Sequence, residues 1–222
     1  MWEKTMIYYT SDLHLGHDNI IRLCNRPYKD ARTMGVDIIQ RWNKKVHVED
    51  TVYILGDMFF KYQDIDVVKT ILKQLNGKKI LIRGNHDNFL NQIVWKDYFA
   101  SVKDYMRIND NGRDVILFHY PIEEWDGYFR GSYHLYGHVH NSDNGTVGVK
   151  KNRFNVGVDV NDFEPKTLDE LINKNKKLCH CYHPDGYYGP ECWGTRERDN
   201  CKCNGDKNNC DFYNKDGSSK LL

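Results

Sequence analysis

Lys79-Ile80-Leu81-Ile82-Arg83-Gly84-Asn85-His86-Asp87 is an apolar run that stops at a tight polar turn. Such a run reads as a buried strand, and the ends of buried strands are where an α/β sheet displays reactive side chains. The pattern recurs on both sides of it. Upstream, Ile7-Tyr8-Tyr9 runs into Thr10-Ser11-Asp12-Leu13-His14, and Val52-Tyr53-Ile54-Leu55 runs into Gly56-Asp57. Downstream, Val115-Ile116-Leu117-Phe118 ends at His119, and Leu135-Tyr136 ends at Gly137-His138-Val139-His140. A single His or Asp after a strand is ordinarily a surface, turn or capping residue. That reading does not explain five strand ends that each finish in Asp, Asn or His. The five together point to one convergent site.

Between these junctions, apolar residues at helical spacing predict helices over 17–25, 31–45 and 64–75, with Asn76-Gly77 closing the third. The order so far is β-α-α-β-α-β. The rest is richer in strands, expected at 102–108, 113–118, 134–136, 146–149 and 153–156, with Asn111-Gly112 as a hairpin turn. Short helices are expected within 88–99 and 165–172. This sequence of elements predicts an α/β (α+β) layered domain over residues 1–172. Near Asn173 the composition turns to Asn, Lys, Asp, Gly and Cys, so residues 173–222 are expected to form a separate Cys-rich extension.

Composition narrows the function classes. Lys+Arg 32 against Asp+Glu 31 leaves a formal charge of +1, which gives no bulk attraction to nucleic acid. No stretch approaches the roughly 18 uncharged residues of a membrane span. Met1-Trp2-Glu3-Lys4-Thr5-Met6 lacks the basic start and apolar stretch of a secretory signal. Cys24 is the sole cysteine before Cys179, so a reduced, cytoplasmic compartment is expected for the first domain.

The strand-end residues have a common chemistry. Asp12 and His14 alternate across one residue and can reach the same side. Asp57 is a hard oxygen ligand able to bridge two cations, Asn85 offers a carbonyl oxygen, and His119, His138 and His140 offer imidazole nitrogens. Seven O and N donors without a thiolate suit one or two divalent ions: manganese first, then iron, zinc, nickel or cobalt. Two such ions form a clamp for in-line displacement at phosphorus and can hold a hydroxide between them as nucleophile. His86, beside Asn85, cannot easily point at the same ion and is free to act as general acid or to touch the phosphoryl group.

Asp12-x-His14, Gly56-Asp57, Gly84-Asn85-His86-Asp87, His119 and Gly137-His138-x-His140 together resemble the signature of the calcineurin-like metallophosphoesterases. Ser11 to Ile21, Arg26-Pro27-Tyr28, His119-Tyr120-Pro121 and Asn155-Val156-Gly157-Val158-Asp159 are similar to the small bacterial and phage members. The resemblance implies a four-layer αββα sandwich of two mixed sheets with a di-metal centre at the strand ends. It also implies Asp12, His14 and His140 on a first ion, Asp57 bridging, and Asn85, His119 and His138 on a second. His86 would be the phosphate-contacting acid. A small phosphodiester, phosphomonoester or nucleotide would be the substrate.

Three further residues are candidates for substrate binding. His17 and Asn19 could line the pocket, with His17 capping the following helix as the alternative. Arg26 could grip a phosphate bidentately or stand in an ion pair. Asp87 and Asp159 read as residues that fix loops, and 123–130 as a rim beside the site. A non-catalytic metal-binding interaction scaffold of the same fold is the competing function; loss of the histidine beside Asn85 would mark it, and His86 is present. In the extension, six cysteines between Cys179 and Cys210 resemble parts of laminin-type EGF-like modules. An extra zinc site and a weakly ordered, partly cross-linked tail are the other readings, and a binding module carried by the first domain is a third function for the chain.

Overall fold

A computed structural model describes residues 5–60, 64–142 and 152–178. The chain divides into two compact units, Met1–Leu168 and Asp169–Leu222. Among the described residues, eight strands lie in the first: β1 (Ile7–Thr10), β2 (Thr51–Ile54), β3 (Lys78–Ile82), β4 (Ser101–Lys103), β5 (Tyr105–Asp110), β6 (Arg113–Phe118), β7 (Tyr133–Tyr136) and β8 (Arg153–Asn155). They make two four-stranded sheets, ordered β1-β2-β3-β4 and β5-β6-β7-β8. Every pairing in the first sheet is parallel. The mixed pairing is confined to the second, where β5 and β6 run antiparallel and the other pairs are parallel.

Three helices cover one face of the first sheet: α1 (Asp18–Leu23), α2 (Ala31–Lys45) and α3 (Ile65–Gln74). Asp30 caps α2 by accepting from the Thr33 N–H at 2.6 Å, and Lys44 and Lys45 lie in its last turn, complementing its dipole. The helix buries Ala31, Met34, Ile38 and Trp42, one stripe of its surface. Asp64 caps α3, which buries Val68 and Leu72. These residues join Tyr8, Val52, Ile54 and Leu81 in a single core. The sheet's opposite face turns to the second sheet, and the buried Tyr9 hydroxyl donates to Asp110 Oδ2 on β5 at 3.0 Å. β3 is buried continuously through Ile80, Leu81 and Ile82, as expected for a parallel strand covered on both faces. Two sheets with flanking helices thus match the α/β architecture expected from sequence.

Several elements differ in detail. The strand expected over 102–108 is two strands: it breaks at Asp104, with β4 pairing β3 and β5 pairing β6. An apolar run carries no sign that its hydrogen-bonding partner changes midway. The helix expected within 88–99 is two 3₁₀ turns, Asn88–Gln92 and Trp95–Asp97, parted by the β-branched pair Ile93-Val94, of which Ile93 is fully extended. The last helix, α4, spans Leu168–Leu178, starting later and running further than the expected 165–172. Asn111 and Gly112 both have positive φ, as a two-residue hairpin turn requires. The strand expected at 146–149 and the extension beyond Leu178, with its EGF-like and zinc readings, lie outside the described residues, while 173–178 continue α4.

Candidate metal centre

Backbone pairing continues past the ends of β1 and β2 and locks the first two junctions together. Asp12 N–H donates to Gly56 O at 3.0 Å, His14 N–H to Asp57 O at 3.0 Å, and Leu15 N–H to Met58 O at 2.9 Å. The third junction is tied in by Asp87. Its carboxylate accepts the N–H groups of Asp57, Met58 and Gly84 at 2.9, 2.9 and 2.8 Å. The second sheet supplies the rest. Gly137 N–H donates to His119 O at 2.9 Å, and His138 N–H reaches both oxygens of Asp12 at 3.0 Å.

The seven candidate ligands converge into two groups. Asp12, His14 and His140 bring one donor atom each to within 4.8 Å of the others, and so do Asp57, His119 and His138. Asp57 Oδ2 lies between the groups, 3.6 Å from His14 Nε2 and 3.5 Å from His119 Nε2. Its other oxygen accepts the His86 N–H at 2.8 Å. Asn85 Oδ1 is 3.0 Å from His119 Nε2 and 3.0 Å from His138 Nδ1. His119 is aimed by Nδ1 against Leu55 O at 2.7 Å, and His140 by Nδ1 against Asp159 Oδ2 at 2.8 Å. In both rings Nε2 is left for the cluster, the orientation a metal-binding histidine needs.

Both ring nitrogens of His14 are buried and bond nothing among the described residues. A buried polar group without a partner costs about 1–3 kcal/mol, so this ring fits a bound cation better than an empty site. Burial holds the His14 imidazole down to about 2, which keeps it neutral and able to ligate. Burial drives the Asp12 carboxyl up, a cost that a cation would relieve.

Strain marks the same residues. Asp12, His14, Asp57, His138 and His140 all have φ between 47° and 71°. Left-handed backbone at such residues costs on the order of 1–3 kcal/mol each and persists where the surroundings impose it. Two glycines are required by close approach: a Cβ on Gly84 would collide with Asp57 Oδ1, and one on Gly137 with Ser11 Oγ and Asp12 Oδ2.

Cys24 Sγ also lies within 4.8 Å of His140 and Asp159 donor atoms. Burial pushes its thiol up to about 11, so it is not a thiolate at neutral pH. His140 and Asp159 already bond each other, which makes this group the back of the His140 site and not a second centre.

A profile of the calcineurin-like phosphoesterase family matches residues 5–217. The chain belongs to this family. An uncharacterized protein of Methanocaldococcus jannaschii is 33% identical over 176 residues, covering 77% of this chain and 93% of that protein. The gene 66 protein of Mycobacterium phage D29 is 27% identical over 198 residues, covering 75% and 96%. A solved structure of an Aquifex aeolicus protein of unknown function, 31% identical, covers 78% of this chain and 100% of its own with a TM-score of 0.63. Membership implies divalent ions and a phosphoester substrate, and the two side-chain groups are the candidates for holding the ions. No helix among the described residues is long and apolar enough to cross a membrane.

In this calcineurin-like phosphoesterase chain, the other candidates fall on either side of the centre. The His86 ring belongs to neither ligand group and rests against His14 and Phe60, with centroids at 5.5 and 4.9 Å. His17 stacks on Phe60 at 3.7 Å and stands 5.5 Å from the His14 ring. It occupies the cap position of α1 without capping it, and its buried Nδ1 has no partner among the described residues. Asn19 is exposed in the first turn of α1. Phe60, which no strand-end pattern singles out, is thus the surface on which two histidines are arranged.

Arg26 is not placed to bind a phosphate. Its side chain is 0% exposed, donating bidentately to Asp159 at 2.7 and 2.8 Å and to the carbonyls of Leu13 and Asp12 at 2.9 and 2.8 Å. The guanidinium is spent on holding the loop of Asp12 and the partner of His140. Burial would raise the Asp159 carboxyl, but the bonds from His140 and Arg26 outweigh it and keep it below the usual carboxylate range. That stabilisation is present above the ordinary carboxylate pKa and is lost as pH falls through the depressed one. An Arg26→Met chain should lose roughly 3–5 kcal/mol at neutral pH, because Asp159 is left buried without its cation. It should also lose less on acidification than the parent. Urea midpoints at pH 7 and pH 3 check both; equal midpoints at pH 7 would exclude this buttress.

Proposed function

We propose that the chain is a di-metal phosphoester hydrolase, with Asp12, His14 and His140 holding one ion, Asn85, His119 and His138 the other, and Asp57 shared. The observation that carries this is Asp57 Oδ2, within 3.6 Å of a histidine nitrogen in each group. Bound divalent ions supply positive charge for the phosphoryl oxygens and an acidified water as nucleophile. The chain's own part is to fix the geometry. Asp159 and Leu55 aim His140 and His119, Asp87 holds the two acidic turns together, and Ser11 donates to Asp12 Oδ2 at 2.6 Å. His86, beside the centre and held by ring contacts, is the group to protonate the leaving oxygen. His17 and Asn19 remain the proposed substrate contacts, and the reducing cytoplasm the proposed compartment.

Hydrolysis of bis-p-nitrophenyl phosphate beside p-nitrophenyl phosphate, with added Mn²⁺, tests the reading and separates diester from monoester preference. Turnover of at least one of the two esters, abolished by chelation and restored by metal, is expected. Background rates for both esters, with or without metal, would overturn it in favour of an interaction scaffold.

A further inference from the structure

A strip of aromatic rings runs from the candidate centre to the edge of the second sheet, and none of its side chains is among the candidate ligands. Tyr120 follows the end of β6 by two residues. Its ring lies 4.6 Å from that of His138 and 4.8 Å from that of His119, and its hydroxyl is 3.4 Å from Asn85 Oδ1. Phe118 stands 5.5 Å from Tyr120, and Tyr105, its partner across β5 and β6, a further 6.3 Å away. Tyr105 is 45% exposed and Tyr120 38%, with Phe118 half-buried between them.

Cross-strand pairing accounts for Tyr105 and Phe118. It does not account for Tyr120, which lies beyond the strand and keeps a large ring in solvent at the mouth of the second ligand group. An ion pair borders the same strip. Arg83 stands two residues before Asn85, and its half-exposed guanidinium is 3.3 Å from Asp104, the residue before Tyr105. A phosphoester whose phosphorus sits among the ligands would carry its substituent out past Tyr120. The Tyr120 and Phe118 rings are tilted by 57° and the Phe118 and Tyr105 rings by 56°, so a flat substituent can lie against one ring face, and Tyr120 is the ring beside the centre. The formal charge of +1 gives no pull on a long polyanion, so the fit is to a single nucleotide unit.

We propose that the Tyr120 ring is the stacking face for the base of a nucleoside phosphoester whose phosphoryl group occupies the centre, with Phe118 packed behind it. This rests on the phosphoester reading and names its substrate class. Base stacking on an aromatic side chain is worth about 1–3 kcal/mol, or roughly 5- to 150-fold in affinity.

Isothermal titration of the full chain with Mn²⁺ compares thymidine 5′-monophosphate with 1,2-dideoxyribose 5-phosphate, in which a hydrogen replaces the base. The parent should favour the nucleotide about 5- to 150-fold. Tyr120→Ala should bring the ratio towards one, and Tyr120→Phe should keep it. Equal affinity of the parent for both ligands, no binding of either, or a ratio unchanged by Tyr120→Ala would overturn the surface. A chain that hydrolyses bis-p-nitrophenyl phosphate but ignores the base loses this inference alone. One that selects the nucleotide yet hydrolyses nothing loses the hydrolase reading alone.

Discussion

Asp57→Asn should empty both ligand groups and stop turnover. The substitution is nearly isosteric, and its remaining oxygen can still accept the His86 N–H that Asp57 Oδ1 takes at 2.8 Å. The fold therefore has little reason to change. What changes is the atom between the groups: an amide nitrogen would stand where Oδ2 faces His14 at 3.6 Å and His119 at 3.5 Å, replacing a negative donor with N–H groups aimed at cations. Because the oxygen is shared, neither proposed ion keeps its neighbour's compensation. The loss in rate should exceed the roughly 10²–10⁴-fold that removing a general acid costs. Metal content after dialysis, read with the rate of bis-p-nitrophenyl phosphate hydrolysis, checks both parts. An Asp57→Asn chain with full metal and full rate would refute the shared carboxylate.

The sequence made the centre's residue types legible because each strand end carries its donor a few residues beyond an apolar run. Asp12 and His14 after β1, Asp57 after β2 and Asn85 after β3 are local signals of that kind. The supports of those donors are not local. Arg26 and Asp159 are 133 residues apart, and only the fold brings Arg26 under the Asp12 loop. Read alone, Arg26 admits a phosphate contact or an ion pair, since the same guanidinium geometry serves a substrate or a carboxylate of the chain. Phe60 escaped for a related reason. An aromatic residue after Gly56-Asp57-Met58-Phe59 reads as core, whereas it is half-buried beneath His17 and His86. Nor does residue type reveal the left-handed backbone at five of the candidate ligands, because that conformation is imposed by pairing between junctions rather than by Asp or His themselves. The split of residues 102–108 between two sheets follows the same logic: side-chain periodicity reports burial, and partner choice is a property of the whole topology.

His86→Ala should keep the metal and slow the reaction by roughly 10²–10⁴-fold. Two features of the geometry separate this outcome from that of a ligand variant. First, the hydrogen bond His86 gives the ligand set comes from its backbone: the N–H that bonds Asp57 Oδ1 is present in alanine too, so the shared carboxylate stays oriented. Second, the ring lies outside both donor groups and is held by packing against Phe60 and His14. Removing it uncovers His14 without removing a donor. The loss should therefore fall on turnover and be smaller for an ester with a good leaving group, such as a p-nitrophenyl ester, than for an alkyl ester, because a poor leaving group depends most on protonation. Metal lost from the alanine chain would make His86 a ligand, and an equal loss for both esters would remove its role as the acid. Only retention of metal together with leaving-group dependence fits a histidine that stands beside the ions and delivers a proton.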